Sequence, residues 1–522
     1  MIEAMVALAM AATPAGQSPK TACGDLAGFT VEAARIGLPT TGAKVTSASA
    51  DPAGVCVVKG AIAPVDPAAP PINFQINLPA AWNGKAVQIG GGGYDGFLVS
   101  GRSPSFLPKD KERVATGYAT FGSDSGHQGG GGNPRLAVGD ASFAMNEEAW
   151  INFGHAQIKK TRDVAVAVMG RFYGTGPRRL YFYGNSQGGH EGLIAAQRFP
   201  ADYDGVVAIH PAYNFTALQL SGLNLAKHLY APGAWISPAK TRLIGDAVVA
   251  KCDGLDGLMD GVVSNVAACR AAFDVRTLRC PGDSESDGCL TSAQVKAAIA
   301  ISQPTRFGMV ISGGDTFGGW PILEGAFGKG SFFGLGFRSV PGKPPTGQDA
   351  FGFLMADQGV RYMMVRDPAY DSLAFEPTQH RAAVARSAEL VDASSTDLDP
   401  FRARGGKLLL MHGTVDMAIP PSNSIAYYQR LSARYGTALP GFLRFYIAPG
   451  FGHGDGPFPV SWNSLEALDH WVEAGQAPGP QTIADTSPDG GGRARPLCEF
   501  PRWPRYDGKG DPNRADSFAC VN

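Results

Sequence analysis

Charge is what this sequence has least of. Asp, Glu, Lys and Arg make up 17% of its 522 residues, and 45 basic against 46 acidic side chains leave a formal net charge of −1. A nucleic-acid partner is held by clustered Lys and Arg, and no basic stripe is present to hold one. Long apolar runs are also missing: nothing approaches the roughly 18–20 consecutive apolar residues of a membrane-spanning helix. There is no Cys-x-x-Cys, and histidine does not cluster with cysteine, so zinc is not expected. No internal repeat marks a solenoid or propeller.

Glycine and proline, by contrast, are abundant at 69 and 39 residues, and 44% of the chain is hydrophobic. Aromatic and aliphatic residues are interleaved throughout, so the composition describes a loop-rich globular enzyme rather than a disordered chain. The length exceeds what one hydrophobic core usually organises, which predicts one large domain with a substantial insertion or a second domain. The eight cysteines (Cys23, Cys56, Cys252, Cys269, Cys280, Cys289, Cys498 and Cys520) fall in sequence-local pairs and read as disulfides of an oxidising compartment. Eight cysteines allow about 105 connectivities, so neighbour pairing rests only on short loops; free buried thiols are the plain alternative. Residues 1–22 open with MIEAMVALAMAATPAGQ, an apolar stretch followed by small residues that reads as an export-signal remnant. Glu3 stands where such a signal carries positive charge, and a flexible terminus is the competing reading. Cysteines and terminus together predict a secreted or periplasmic protein.

From Ala86 to about Pro211, short apolar runs alternate with helical stretches. KAVQIGGGGY reads as a strand entering a glycine turn, and GYATFGSDSG as a second strand. Residues 146–170 carry Trp150, Phe153, Ile158, Val164 and Val168 at helical spacing and end near glycine. Strand RLYFYG, a tight turn, helix EGLIAAQRF and strand DGVVAIH follow. Strands alternating with helices imply a parallel sheet with right-handed crossovers. The rhythm stops after Asn214, gives way to an irregular, glycine-rich and aromatic stretch, and resumes at GGKLLLMHG. The expectation is an α/β catalytic domain over 23–213 and 394–522, interrupted at 214–393 by a lid domain.

Gly184-Asn185-Ser186-Gln187-Gly188 is a G-x-S-x-G set between a strand and a helix. A serine at the apex of that turn sits in strained backbone, flanked by glycines because neighbouring atoms crowd it, and defines an α/β-hydrolase. The plain alternative is an ordinary glycine turn. A serine hydroxyl needs a base, and the chain order in this fold is Ser, acid, His. His453, in the glycine loop Pro449-Gly450-Phe451-Gly452-His453-Gly454, is the candidate base. His412 at a strand end, His470 within a helix, and His190 on the helix after the serine read as structural. Asp416, four residues beyond strand LLLMH, is the candidate acid; Asp455 is its rival, too near His453 in sequence to reach the far ring nitrogen easily. As a cap for the helix after Pro421, Asp416 fits less well than Ser422. The oxyanion hole should combine the backbone N–H of Gln187 with one from the run Gly90–Gly93, at Gly92 or Gly93. That run lacks the Lys-Ser/Thr and G-x-G-x-x-G spacing of a phosphate loop. In the insertion, Asp253, Asp256 and Asp260 are spaced by glycines as ligands of a hard cation. Carboxylates with backbone carbonyls suit calcium in a structural role, and a solvated acidic turn is the alternative.

These segments resemble the tannase/feruloyl esterase family over nearly the whole chain. The resemblance rests on WNGKAVQIGGGGYDG, FGSDSGHQG, GNSQGGHEGLIAAQRFPADYDGVVA, KCDGLDGLMDGVV, MHGTVDMAIPPSNSIAYY and APGFGHGDG. It implies Ser186, Asp416 and His453 as a triad. It further implies calcium held by Asp253, Asp256, Asp260 and the carbonyls of Leu258 and Val262. The pairing it implies is Cys23–Cys56, Cys252–Cys269, Cys280–Cys289 and Cys498–Cys520. In the family's well-known members a cysteine precedes the serine, another follows the histidine, and the two are bridged; here Asn185 and Gly454 stand instead. The family acts on esters of aromatic acids such as gallate, ferulate and terephthalate. The expected activity is therefore aromatic-ester hydrolysis through an acyl-enzyme, with a small-molecule substrate. An acyltransferase on the same triad and a non-catalytic binding protein are the alternatives. Phe317, Trp320, Phe327, Phe332, Phe333 and Phe337 suit a planar acyl group, though most should build the lid's own core. Arg338, Arg361 and Arg366 are candidates to pair with a substrate carboxylate.

Overall fold

The computed structural model describes residues 17–102, 116–130, 139–331, 334–347, 349–488 and 490–522. Most of the export-like segment, through residue 16, and Phe332 and Phe333 lie outside them. Among the described residues a thirteen-stranded sheet forms around six parallel strands. In spatial order these are Ala119–Ser123, Lys85–Ile89, Arg179–Asn185, Gly205–Ile209, Lys407–Gly413 and Leu443–Ala448. Antiparallel strands extend both sides, Ile72–Leu78 on one and Ala494–Glu499 on the other. The expected parallel sheet is thus the centre of a larger mixed one.

Side-chain alternation explains why these runs are apolar on both faces. Leu408 and Leu410 join a core with Phe182, Val206 and the helices Gln157–Tyr173, Gln187–Arg198 and Pro421–Tyr435. Leu409 and Met411 join the opposite core with Tyr181, Val207 and Leu465, Leu468 and Trp471 of helix Ser464–Ala474. The helix expected at 146–170 begins at Glu147, capped by Asn146 Oδ1 on the Ala149 N–H at 2.9 Å. It widens over Asn152–Ala156 and continues past Gly170 to Tyr173, where Gly174 ends it at φ 80°.

The inserted segment is more regular than its glycine content suggests. It contains helices Phe215–Leu229, Pro238–Cys252, Ser292–Ser302, Phe351–Gln358 and Arg381–Val391, and the hairpin Thr305–Ile311 with Gly314–Phe317. The glycines concentrate between that hairpin and Phe351, so they do not interrupt the helices. Phe317, Trp320 and Phe327 are buried in a core that the segment shares with Trp150, Phe153, Val415 and Met417, so they do not build a core of the segment alone, while Phe337 is 42% exposed. The three arginines are engaged within the protein. Arg338 lies 3.4 Å from Asp349, Arg361 3.1 Å from Asp357, and Arg366 donates to the carbonyls of Ala144 and Met145.

Disulfides Cys23–Cys56, Cys252–Cys269, Cys280–Cys289 and Cys498–Cys520 account for every cysteine, in the pairing the resemblance implied. No helix among the described residues is long and apolar enough to cross a membrane.

Candidate active site

The parallel strands Arg179–Asn185, Lys407–Gly413 and Leu443–Ala448 deliver Ser186, Asp416 and His453 beyond their C-terminal ends, where open α/β sheets place their ligands. Ser186 follows the first strand with φ 59° and ψ −124°, a conformation non-glycine residues rarely adopt. A Cβ on Gly184 would stand 2.2 Å from the Gly188 carbonyl oxygen, and one on Gly188 2.9 Å from the Gly90 carbonyl carbon. The glycines around the serine are therefore a matter of close approach. Gly413 is constrained likewise, since a Cβ there would meet the Phe451 carbonyl oxygen at 2.0 Å.

Ser186 Oγ lies 2.8 Å from His453 Nε2, and His453 Nδ1 lies 2.8 Å from Asp416 Oδ2. An ionised carboxylate only accepts, so the Nδ1 proton points at Asp416 and Nε2 is left to accept the serine hydroxyl. The other oxygen, Asp416 Oδ1, accepts the backbone N–H groups of Ala418 and Ile419, each at 2.8 Å. Burial alone would raise the Asp416 pKa, but the His453 imidazole and a hydrogen bond from His412 hold it well below the usual carboxylate range. Burial pulls the His453 imidazole down, yet the Asp416 carboxylate outweighs it and leaves the pKa above the ordinary histidine value. That is the state a general base needs: a proton accepted at Nε2 is stabilised by a fixed negative charge behind it.

The excluded histidines have structural partners, as expected. His412 Nδ1 meets Ser424 Oγ at 2.7 Å and its Nε2 meets the Ile419 carbonyl at 2.8 Å. His190 bonds the Val391 carbonyl, and His470 lies 3.3 Å from Gln476 Oε1. Ser422 is not the cap of its helix. It lies inside the first turn of Pro421–Tyr435 and donates to the Gly319 carbonyl at 3.3 Å.

The glycine run docks directly on the serine helix. Gly188 N–H donates to Gly91 O at 3.1 Å, Gly90 N–H to Tyr183 O at 3.0 Å, and Gly91 N–H to Glu191 Oε2 at 3.0 Å. Gly90 and Gly91 thus spend their donors on packing, and Gly92 and Gly93 form the turn that follows, with Gly93 at φ 61°. Behind it lies a buried acid pair that sequence reasoning missed. Burial pushes Glu191 up to about 8, and pushes Asp95 well above the usual carboxylate range with Glu191 and Asp124 adding to it.

His210 was also missed. It follows strand Gly205–Ile209, is fully buried, and takes φ 33°. Its ring centroid is 4.4 Å from that of His453, and its Nδ1 is 3.8 Å from Asp416 Oδ2. Its place at the end of a central parallel strand was the one signal the sequence offered.

The acidic loop of the insertion lies outside this constellation but touches it. Asp253 Oδ1 accepts the N–H groups of Asp260 and Gly261, Asp256 Oδ1 that of Leu258, and Asp260 Oδ1 that of Val262. Asp260 Oδ2 also pairs with Arg495 at 2.6 Å. Burial raises the pKa of Asp253, and that of Asp256 to about 6, with Asp260 adding repulsion in both. Asp253 and Asp256, destabilised as anions by burial and by Asp260, suit a hard dication in donor type and charge.

A G-x-S-x-G serine at a strand-to-helix elbow, on a central parallel sheet, defines an α/β-hydrolase. Residues 56–521 match the model of the family described as tannase and feruloyl esterase. An uncharacterized esterase of Agrobacterium fabrum is 38% identical, covering 97% of this chain and 94% of its own. The mono(2-hydroxyethyl) terephthalate hydrolase of Piscinibacter sakaiensis is 32% identical, covering 89% of this chain and 84% of its own. The crystal structure of feruloyl esterase B from Aspergillus oryzae superposes with a TM-score of 0.76 at 23% identity, covering 94% of this chain and 100% of that one. The chain belongs to the tannase and feruloyl esterase family and is an esterase.

Proposed function

We propose that this esterase hydrolyses esters of aromatic acids of the feruloyl, galloyl or terephthalate type through an acyl-enzyme on Ser186. The observation that carries the reading is the continuous relay from Ser186 Oγ through His453 to Asp416, each step 2.8 Å. Ser186 attacks the ester carbonyl as His453 takes its proton, and His453 then returns that proton to the leaving alcohol. The N–H groups of Gln187 and of Gly92 or Gly93 stabilise the oxyanion. Water, activated by the same imidazole, releases the acid. The segment 214–393 acts as the lid. The substrate class draws its support from the family and from the activities for which its relatives are named. A panel of methyl ferulate, methyl gallate, methyl benzoate, a terephthalate monoester and short aliphatic esters tests it by kcat/KM. Aromatic acyl groups should lead; preference for the aliphatic esters sinks the assignment. Run with added methanol or glycerol, the same assay separates hydrolysis from acyl transfer by whether the alcohol outcompetes water.

The disulfides support an extracellular or periplasmic location. We further propose that calcium occupies the acidic loop through Asp253, Asp256, Asp260 and the carbonyls of Leu258 and Val262. A ligand bound only by the folded chain at ~100 times its dissociation constant adds about 2.7 kcal/mol of stability. The melting temperature should therefore rise with added CaCl2 and fall on chelation, and Asp256→Asn should lose the response. Identical melting of wild type in calcium and in chelator removes the ion from the loop.

A further inference from the structure

His210 has no role in the relay, yet it is the least comfortable side chain near it. Its backbone is held at φ 33°, its side chain is fully buried, and neither ring nitrogen has a hydrogen-bond partner among the described residues. Buried polar atoms without partners are rare enough that each calls for an explanation. Here the orphaned imidazole stands beside a carboxylate and a second imidazole. His210, Asp416 and His453 each offer a donor atom, and the three atoms lie within 4.8 Å of one another. Asp416 Oδ2 is 2.8 Å from His453 Nδ1 and 3.8 Å from His210 Nδ1. Around a tetrahedral zinc with bonds of about 2.0–2.1 Å, neighbouring donors stand roughly 3.3 Å apart, between those two distances.

We propose that these three residues form a zinc-binding site overlapping the catalytic relay, at which Zn2+ reversibly switches the esterase off. Two imidazole nitrogens and one carboxylate oxygen are a ligand set that zinc accepts, with a fourth position left for water. On binding, the ion takes the place of the proton on His453 Nδ1, and the neutral ring carries its one proton on Nε2 instead. The Asp416–His453 hydrogen bond is broken, and Nε2, now a donor, no longer accepts the serine proton. Ser186 and His453 keep 9% and 8% exposure while His210 and Asp416 have none, so the ion enters by the substrate's route. The inhibition arm rests on the reading of His453 as the base; the binding arm does not.

The test is equilibrium dialysis of Zn2+ against wild type, Ser186→Ala and His210→Phe, alongside turnover of methyl ferulate. Wild type and Ser186→Ala should each bind about one zinc more than His210→Phe. Outer-shell partners of metal ligands already govern affinity by ~10–100-fold, so loss of a ligand should raise the half-inhibiting zinc concentration by at least ~100-fold. Chelator should restore wild-type turnover. Circular dichroism shows whether His210→Phe folds, and His210→Asn, which is smaller and polar, replaces it if it does not. Equal zinc uptake in wild type and the His210 variants overturns the site, whatever the esterase assay shows. Absence of ester turnover in all proteins would instead overturn the proposed function and leave the dialysis comparison readable.

Discussion

Ser186→Ala should reduce turnover of aromatic esters by ~10^5–10^6-fold, about 7–8 kcal/mol of transition-state stabilisation. The loss is so large because Oγ is the atom that forms the new bond; without it, only binding and the oxyanion donors remain to favour attack by water. The substitution should leave the fold intact. Alanine occupies φ 59° and ψ −124° with the same Cβ as serine, and the hydroxyl's partner at the site is His453 Nε2. Unchanged melting, abolished turnover and abolished mass shift with a serine-directed phosphonate form the expected set. Full activity in the alanine variant would falsify the assignment of Ser186.

Asp416→Asn should cost ~10^3–10^4-fold, and the structure says why so small a change matters. The carboxylate is fully buried and divided between two tasks: Oδ1 accepts two backbone N–H groups, and Oδ2 faces His453 Nδ1. In the amide only the carbonyl oxygen can keep the Ala418 and Ile419 N–H groups satisfied, so the NH2 must turn toward the imidazole. A donor facing Nδ1 forces the proton onto Nε2, the wrong tautomer for receiving one from serine. Removal of the negative charge also withdraws what holds the His453 pKa up. The loss should fall on kcat, with KM little changed, because ground-state substrate binding does not involve Asp416. A variant with near-normal kcat points to Asp455 as the acid.

The parts of this site that were legible in the sequence share a cause: each is marked by a local pattern whose chemistry is local too. Ser186 announces itself because the elbow needs glycines within two residues on either side. His453 and Asp416 follow from chain order and from glycine loops after strands. The central strands were legible because burial on both faces makes them near-continuous apolar runs. What stayed hidden depends on contacts between distant segments. Glu191 looks like a polar residue on a helix until the Gly91 N–H, one hundred positions away, is set against it. His210 looks like any residue ending a strand until His453 and Asp416 arrive from the far side of the insertion. The insertion's helices were obscured by the aromatic, glycine-rich stretch between them, which dominates the composition of the whole segment.

The acidic turn and the imidazole loop, some two hundred positions apart in the chain, share a wall. Val262 lies where a Cβ on Gly450 would meet its Cγ1 at 2.9 Å, and Val263 backs Gly325 alongside Val415, the neighbour of Asp416. Arg493 fastens the same two segments, donating to the carbonyls of Asp260 and Pro457. A displacement of that turn therefore presses on residues that flank His453 and Asp416. On the proposal that calcium fills the turn, hardness of the medium should register in the speed of acylation before it registers as unfolding.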